Sequence, residues 1–344
     1  MASNRPTRPV RRSANTDDLP DKPYELVSFP SKRPSLKAPV GHHRYAKNCY
    51  HGMLHLSLKV QTALHVSTGI TALGSDVGSK VPLIKTMTRG KNHQLIIQGS
   101  SLKGCVRAIY EAITNSTLAV VTGRHQQKMP RDRMPCRKKD SLCPASQVFG
   151  ALDWQGLVHF TDAQCASAKS VTGFMPSLYR PRPERDAYFK GGQAAGRKFY
   201  YHAVKALEGG DRGTRVQQAG NEYTFKTDLQ FLNLTQAQLG TLLIALGQDK
   251  DHPMALKLGG GKPVGMGTVQ VQATRLEIPE NIRDRYMHYA VPESAAVEGD
   301  ALTKFIQQAI DTARREKLVE KSQLEQLHQV LQWPTTREAP TGMY

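Results

Sequence analysis

The segment LGGGKPVGMGT, from Leu258 to Thr268, has a composition suited to binding an anion. It holds five glycines and one lysine and contains no acidic residue. Glycines readily adopt positive φ angles, and successive backbone N–H groups in such a loop can form a nest for an anion. The pattern matches neither a P-loop nor a dinucleotide-binding loop. It indicates a phosphate seat of another kind, or a glycine-rich turn without a ligand. The residues of this candidate seat are Gly259, Gly260, Gly261, Lys262, Gly265 and Gly267.

The segment GSSLKGCVRAIYEAITNS predicts a helix whose beginning can also attract an anion. Ser100 or Ser101 can act as its N-cap. An apolar stripe at helical spacing follows, formed by Leu102, Val106, Ile109, Tyr110 and Ile113. The first N–H groups of a helix lack internal partners and carry the positive end of the helix dipole, so they favour anions. The alternative is an ordinary capped helix with solvated charges.

A segment from about residue 170 to 220 combines aromatic and basic side chains, as in YRPRPERDAYFKGGQAAGRKFYYH. Aromatic rings stack on bases, and arginines bind phosphates or stack as well. The pattern therefore makes Arg180, Arg182, Arg197 and Lys198 candidate RNA ligands. The alternative is that the aromatic rings close a local core while the arginines remain in solvent.

The five cysteines are sparse and odd in number, which favours reduced thiols over a disulfide framework. Cys136 and Cys143 lie in a basic segment with His125. Tetrahedral zinc takes four nitrogen or sulfur ligands, and these three residues supply all but one of them. They form a candidate structural zinc site, with free thiols in a loop as the alternative. Cys105 and Cys165 are expected to be packing residues.

The charge of the chain restricts its partners. Its 344 residues hold 47 lysines and arginines against 29 aspartates and glutamates, a formal net charge of +18. A monomer with this charge repels itself unless an anion covers it, and nucleic acid is the favoured cover. No stretch approaches the roughly 20 apolar residues of a membrane span, and no secretory signal is visible. These features predict a cytoplasmic protein with no membrane partner.

Hydrophobic periodicity predicts an α+β fold. Alternation in HGMLHLSLKVQTALHV indicates a strand in which Leu54, Leu56 and Leu58 point inward. The segment TGITALGSDVGSKVP is interpreted as a glycine- and serine-rich loop. LTQAQLGTLLIALGQ predicts a helix with Thr235 as its N-cap, and GTVQVQATRLEI predicts an alternating strand. The order strand, helix, strand, strand, helix, strand is that of a ferredoxin-like fold, which RNA-recognition domains also use.

Composition and periodicity also predict how the chain is divided, into a central ferredoxin-like domain, called the palm here, and several further segments. Residues 1–47 form a basic extended arm. The palm comprises residues 48–116, 148–170 and 221–276. Two insertions interrupt it, a basic one at 117–147 and an arginine- and aromatic-rich one at 171–220. A helical segment with amphipathic stripes occupies residues 277–344.

Four motifs occur in one order: IQGSSLKGCVRAIYEAI, CPASQVFG followed by GLVHFTDA, GRKFYYH, and LGGGKPVGMGTV. Together they resemble the RAMP superfamily of CRISPR-associated proteins over about residues 50–275. GSSLKG before an arginine-containing helix looks like the signature of the Cas-seven family of backbone subunits. The addition of GRKFYYH is similar to a group found in type III, especially type III-D-like, effector complexes.

This resemblance implies a ferredoxin-like RAMP palm with insertions, in a subunit that coats guide RNA (crRNA) for antiviral defence. Ser100, Ser101, Lys103 and Arg107 would meet guide-RNA phosphates, and the loop Gly259–Gly267 would provide a flat cationic seat for others. A thumb-like hairpin between guide and target is expected in one of the insertions. The implied partners are guide RNA, target RNA and other effector subunits.

The resemblance also implies a candidate for target cleavage. Superfamily members that cut the target carry an aspartate in the loop after the first strand, and here that loop contains Asp76. It is the only acid between Glu25 and Glu111. The register is imperfect, because VPLIK follows and Lys80 lies nearer the usual position. Asp76 is thus a candidate endoribonuclease residue, with a divalent metal ion as a candidate cofactor. A turn residue in a non-cutting scaffold is the alternative.

Two other functions remain open from the residues alone. The first is a RAMP endonuclease that processes precursor guide RNA with a histidine as acid or base, for which His42, His43, His51 and His55 are available. The second is a general RNA-binding protein, which explains the charge but not the series of motifs.

Overall fold

The computed structural model describes residues 22–166, 170–178, 186–210, 212–279, 287 and 296–341, which fold into a mixed α+β structure. The strands are β1 (Tyr24–Ser28), β2 (Tyr50–Val60), β3 (Ser67–Leu73), β4 (Leu83–Met87), β5 (Ile96–Ile97), β6 (Gly150–Ala151), β7 (Trp154–Gln155), β8 (Val158–Phe160), β9 (Ala163–Cys165), β10 (Val171–Pro176), β11 (Phe189–Lys190), β12 (Gln193–Ala194), β13 (Gly196–Tyr200), β14 (Gly213–Gln218), β15 (Thr224–Leu234), β16 (Leu256–Lys257), β17 (Thr268–Glu277) and β18 (Ala296–Val297). The helices are α1 (Gly99–Ile113), α2 (Pro144–Phe149), α3 (Gln236–Ala245), α4 (Gly299–Arg315) and α5 (Lys321–Leu331).

The largest sheet has the strand order β16-β17-β2-β15-β9-β5, with β8 also paired to β15 and β18 to β17. Its three long strands are antiparallel, so that Leu58 of β2 lies opposite Phe225 of β15 and Val271 of β17. The two strands predicted in HGMLHLSLKVQTALHV and GTVQVQATRLEI are therefore confirmed, and they are neighbours in one sheet.

The alternation predicted for β2 is present. Leu54, Leu56, Leu58 and Val60 are buried in the main hydrophobic core. Helix α1 packs against α3, α5, β8 and β16, while α4 packs against α3 and β17. The side chains of successive strand residues point to opposite faces of the sheet. The helices pack against the face that carries the buried side chains.

Helix α3 begins and ends where its sequence indicates. Thr235 accepts a hydrogen bond from the backbone N–H of Gln238, and the Gln238 side chain bonds back to the backbone N–H of Thr235. This reciprocal arrangement is a capping box. Gly247 follows the helix with a φ of 76°, a conformation that favours glycine. The amphipathic pattern near the carboxyl end likewise predicted helices, and α4 and α5 are both present.

A second sheet has the order β10-β14-β4-β3 and corrects one prediction. The segment interpreted as a glycine- and serine-rich loop contains strand β3, which pairs antiparallel with β4. Thr and Ile residues favour extended backbone, and an edge strand needs a partner on only one side. The turn is restricted to the residues between Leu73 and Leu83, where the Gly74 N–H bonds to the carbonyl of Pro82.

The beginning of the described chain is docked on this body. Strand β1 pairs with β13, so that Tyr24 lies opposite Tyr200. The guanidinium of Arg133 is buried and donates to the carbonyls of Pro30 and Lys32. Within the described ranges, no helix is both long and apolar enough to cross a membrane.

Candidate nucleic-acid interface

Helix α1 begins earlier than a serine cap would allow, which corrects that prediction. Its N-cap is Gln98, and no side chain of the cap residue completes the first turn. Instead, the carboxylate of Asp162 accepts a hydrogen bond from the Gly99 N–H at 2.8 Å. A β-carbon on Gly99 would overlap the carbonyl of Phe160. Ser100 and Ser101 therefore lie inside the first turn, where both are exposed.

Lys103 is placed differently from the two serines. Its ammonium donates to the Val158 carbonyl of β8 at 2.8 Å, and the residue is half-buried. Burial lowers the pKa of Lys103, and the nearby charge of Arg107 lowers it further. Part of its hydrogen-bonding capacity is therefore used within the fold.

Arg107 and Arg197 converge on one buried carboxylate. The Nε of Arg107 lies 2.8 Å from Glu111, and a guanidinium nitrogen of Arg197 lies 2.9 Å from the other oxygen of the same carboxylate. Arg197 also donates to the carbonyls of Ser116 and Thr117. Burial raises the pKa of Glu111, and the two guanidiniums oppose this rise.

The sequence interpretation missed Glu111. Its signal was its position four residues after Arg107, a spacing at which opposite charges meet on a helix. Because a buried charge must be paired, both arginines stabilise the packing of α1 against the segment that contains β13.

Lys198 lies among tyrosines. Its ammonium is 4.0 Å from the ring centre of Tyr24, 4.7 Å from that of Tyr200 and 5.2 Å from that of Tyr188. These distances are typical of cation–π contacts. The Tyr188 hydroxyl also accepts a hydrogen bond from the ammonium at 3.2 Å. The other two basic candidates of this segment, Arg180 and Arg182, lie outside the described residues.

The glycine loop joins β16 to β17 and divides into a packed part and an open part. Gly265 and Gly267 are buried and have φ angles of 87° and 85°. A β-carbon on Gly267 would overlap the carbonyl of Leu258, and one on Gly265 would lie 2.6 Å from the carbonyl of Lys205. These two glycines are therefore required by the packing of the turn itself.

The open part of the loop comprises Gly259, Gly260 and Lys262, whereas Gly261 between them is buried. Gly259 is exposed with a φ of 71°, and Gly260 and Lys262 are half-exposed. Several backbone N–H groups of the loop already have partners: Gly260 donates to His65 and Gly267 to Ala63, each at 2.9 Å. The remaining attraction for an anion comes mainly from the Lys262 charge and the accessible backbone beside it.

The open part of the loop adjoins the beginning of α1. The Cys105 thiol of α1 lies 3.6 Å from the carbonyl of Lys257, immediately before the loop. Burial raises the pKa of this thiol, and the nearby charge of Lys262 opposes the rise. Ser101 lies one helical turn before Cys105 and therefore shares its side of the helix. We call the resulting region the helix–loop surface, which comprises Ser100, Ser101, Gly104, Gly259, Gly260 and Lys262.

Asp76 lies at the exposed tip of the β3–β4 hairpin. It occupies a short 3-10 turn, Ser75–Val77, and its carboxylate accepts a hydrogen bond from the Ser75 hydroxyl at 3.2 Å. Lys80 is exposed in the same turn region. Among the described residues, none forms an ion pair with the Asp76 carboxylate. Because the residue is also exposed, its carboxylate is accessible to a ligand.

A family model, the RAMP superfamily, matches residues 57–270. That range is more than half of the 344 residues and includes both parts of the helix–loop surface. The chain belongs to the RAMP superfamily. No curated protein sequence matches this RAMP chain.

Among solved structures, the RAMP chain is similar to one from a cryo-electron microscopy study of the type III-B Cmr-beta complex bound to cognate target RNA. The TM-score is 0.36 at 15% sequence identity. The match covers 67% of this chain and 61% of that chain. The RAMP chain thus matches less than two thirds of the length of that structure's chain.

Two of the four histidines that could serve an RNA-processing RAMP enzyme, His51 and His55, already have hydrogen-bond partners within the fold. His55 lies between two carboxylates, with Asp228 2.7 Å from Nδ1 and Glu277 3.2 Å from Nε2. His51 is buried, and its Nδ1 accepts a hydrogen bond from the Asn233 N–H. His42 and His43 are exposed in the segment before β2. Neither ring nitrogen of His55 is left open to a substrate.

The cysteine pair of this RAMP chain does not fit a zinc site. Cys136 and Cys143 are free thiols that form a hydrogen bond with each other. Each also forms a hydrogen bond with the Thr117 hydroxyl, whose oxygen lies 3.4 Å from the Cys136 sulfur and 3.2 Å from the Cys143 sulfur. Hydrogen bonds with the Cys136 thiol and with the Ser146 side chain lower the pKa of the Cys143 thiol. His125 lies in a separate 3-10 turn, Gly123–Lys128. Across the described ranges, no three His, Cys, Asp or Glu residues are grouped as metal ligands, whereas zinc takes four.

Proposed function

We propose that this RAMP chain is a guide-RNA-binding backbone subunit of a type III CRISPR effector complex. The observation that carries the proposal is the helix–loop surface. Two motifs that are distant in the sequence, GSSLKG and LGGGKP, are brought close by the contact between Cys105 and Lys257, the residues that follow the first motif and precede the second. The exposed first turn of α1 and the charge of Lys262 give this surface the chemistry that phosphates require.

We further infer a ferredoxin-like palm. The strand order β17-β2-β15-β9 supports it, because it places the fourth, first, third and second strands of a strand–helix–strand–strand–helix–strand unit side by side. In this unit, α1 follows the first strand and α3 precedes the last. The glycine loop then lies at the entrance to the last strand, beside the beginning of the first helix.

The proposed contacts read the RNA backbone and leave the bases free. The exposed hydroxyls of Ser100 and Ser101, glycine backbone and a lysine point charge can all recognise phosphate. Sequence specificity would then come from pairing between guide and target. Because Arg107 and Arg197 are engaged with Glu111, the proposal assigns them to the fold and concentrates RNA contact on the helix–loop surface.

The excess charge of +18 supports a polymeric anion as the ligand. A single phosphate group would neutralise little of it, whereas an RNA strand places a negative charge at every nucleotide. The proposed partners are therefore guide RNA, target RNA paired with it, and neighbouring effector subunits; a type III-D-like complex is the subtype that the motif series favours.

The salt dependence of RNA affinity tests the proposal. For single-stranded RNA, the logarithm of the association constant falls with the logarithm of salt concentration by about 0.7 per neutralised phosphate. We expect a slope equivalent to several phosphates and tighter binding of RNA that carries the guide's 5′ tag. Equal affinity for tagged and untagged RNA would favour a general RNA-binding protein. Specific cutting of repeat RNA by the chain alone would favour a processing enzyme. An affinity independent of salt would contradict every RNA-based proposal.

We propose Asp76 as the residue that decides whether the subunit also cuts target RNA. Its exposure and the absence of an ion pair in the described structure support this assignment, since a carboxylate can orient a 2′-hydroxyl or hold a divalent metal ion. Asp76→Ala in the assembled complex should abolish the cut opposite this subunit and leave target binding unchanged. Asp140→Ala, which changes another exposed loop acid, is the matched control. A cut that persists in Asp76→Ala would identify a scaffold.

A further inference from the structure

Lys257 is a lysine buried directly before the glycine loop. The residue is 5% exposed. Its amine nitrogen lies 3.2 Å from the Gly265 carbonyl and 3.3 Å from the Thr268 hydroxyl. Buried lysines normally pair with a carboxylate, because an isolated charge in a low-dielectric interior is strongly unfavourable. No carboxylate of the described residues pairs with this amine. Its protonation state therefore depends on the hydrogen bonds that it forms.

The hydrogen-bond directions around Lys257 are fixed by a neighbouring histidine. His202 is buried, and its Nε2 lies 3.0 Å from the Ala255 carbonyl, which can only accept. Nε2 therefore carries the proton and Nδ1 accepts from the Thr268 hydroxyl at 3.0 Å. Burial is the main cause that lowers the pKa of His202 to about 3, so the ring is neutral.

It follows that Lys257 donates to both of its partners. The Thr268 hydrogen is used by His202, so its oxygen accepts from the amine, as does the Gly265 carbonyl. A neutral amine has two N–H donors, and these two acceptors satisfy both. A protonated amine has a third N–H, for which the described residues offer no acceptor. The described site therefore satisfies both N–H groups of a neutral lysine and lacks an acceptor for the third N–H of a charged one.

The groups that face Lys257 add no negative charge. They are Lys262 in the glycine loop, His202 in the segment after β13, Cys105 on α1, Thr268 on β17 and Thr62 after β2, whose hydroxyl donates to the same Gly265 carbonyl. Burial and the charge of Lys262 lower the pKa of Lys257 to about 7. An anion beside Lys262 would oppose both effects, because charges interact strongly across a low-dielectric interior.

We propose that Lys257 is a second, buried charge of the phosphate seat, neutral in the free protein and protonated when an RNA phosphate binds beside Lys262. This inference rests on the proposed RNA-binding function and adds a positioning residue to it. A proton enters from solvent as the phosphate binds, so the seat gains one positive charge in the bound state. RNA affinity must therefore depend on pH in the range where the free amine is neutral.

The sign follows from proton linkage. The free amine is largely protonated below about pH 7 and neutral above it, whereas the RNA-bound amine stays protonated to higher pH. Binding thus takes up a proton above about pH 7, and affinity falls as pH rises through this range. One proton taken up corresponds to a tenfold loss of affinity per pH unit, and partial uptake to about threefold.

The experiment measures the affinity of the full chain for a short single-stranded RNA of mixed sequence between about pH 6 and pH 9. For the wild type, we expect constant affinity below about pH 7 and a loss of about three- to tenfold per pH unit above it. Lys257→Met, which conserves length without a charge, should bind with nearly constant affinity. Lys226→Met, at an exposed lysine of β15, should retain the pH dependence of the wild type.

Calorimetry on the wild type keeps the test independent of whether the variant folds. Binding enthalpies in HEPES and Tris buffers, measured at about pH 7.5, should differ by the heat of the buffer proton that is taken up. Equal enthalpies, or an unchanged pH dependence in Lys257→Met, would overturn the role of Lys257 while leaving RNA binding intact. Failure to bind RNA at any pH would instead overturn the proposed function.

Discussion

The two halves of helix α1 use their polar residues in different ways. In the first turn, Ser100 and Ser101 are exposed beside the open part of the glycine loop. Toward the other end, Arg107 reaches Glu111, which also holds Arg197 from a distant part of the chain. Both halves contain candidate phosphate ligands, but only the first has exposed polar side chains.

The difference between the halves comes from one carboxylate. Removing a charge from water is costly, and Glu111 is 5% exposed, so it requires cationic partners within reach. A basic residue close to such a carboxylate serves the fold, whereas one without it is available to a ligand. The glycine loop shows the same division between its packed residues, Gly265 and Gly267, and its open residues, Gly259, Gly260 and Lys262.

Glu111→Gln is expected to have the largest effect on stability. The substitution leaves two partly buried guanidiniums without a counter-charge, and breaking a buried ion pair costs about 3–5 kcal/mol. Chemical denaturation measures the loss. Glu325→Gln, which breaks an exposed pair with Lys321 at 3.8 Å, should change stability by less than about 0.5 kcal/mol. An unchanged denaturation midpoint for Glu111→Gln would return both arginines to the set of candidate RNA ligands.

Gly267→Ala is expected to destabilise the packed end of the loop by about 2 kcal/mol or more. The residue has a φ of 85°, which is strained for alanine, and its β-carbon would overlap the Leu258 carbonyl. Thermal unfolding measures the effect. If Gly267→Ala were as stable as the wild type, the assignment of this end of the loop to packing would be wrong.

The burial of Lys257 is expected to make the stability of the protein depend on pH. Its folded pKa of about 7 lies below the ordinary lysine value, so between about pH 7 and 10 the unfolded state binds more protons. Stability should therefore rise with pH over this range, by up to about 1.4 kcal/mol per pH unit. Denaturation at several pH values measures this slope. Lys257→Met should remove it, and a slope that persists in the variant must arise from another group.

Gly104→Ala is the smallest change and probes the exposed half of α1. A β-carbon at Gly104 meets no atom within 4 Å, so alanine should stabilise the helix by about 0.5–1 kcal/mol. If an RNA backbone approaches this position closely, affinity should fall while stability rises. Thermal unfolding and RNA titration together measure both effects. Unchanged affinity would exclude Gly104 from the interface.

Local patterns predicted much of this fold. The alternation of Leu54, Leu56 and Leu58 and the cap at Thr235 depend on neighbouring residues, and both predictions were confirmed. Features that depend on distant residues were missed. Asp162 replaces a serine cap on α1, and Glu111 binds Arg197 from a different segment. The three candidate zinc ligands lie near one another in sequence, but His125 does not join the two thiols in the fold.

The most direct test of the account compares charge reversal at two lysines near opposite ends of α1. Lys262 belongs to the helix–loop surface, whereas Lys321 follows Glu320, whose N–H bonds to the Ile113 carbonyl at the far end of the helix. Cys105, the α1 residue in contact with the start of the glycine loop, lies about 12 Å along the helix axis from Ile113, so the two sites report separate surfaces. We predict that Lys262→Glu weakens single-stranded RNA binding by about tenfold or more and reduces the salt slope, while Lys321→Glu leaves both unchanged. Equal effects of the two substitutions would contradict an RNA seat on the helix–loop surface.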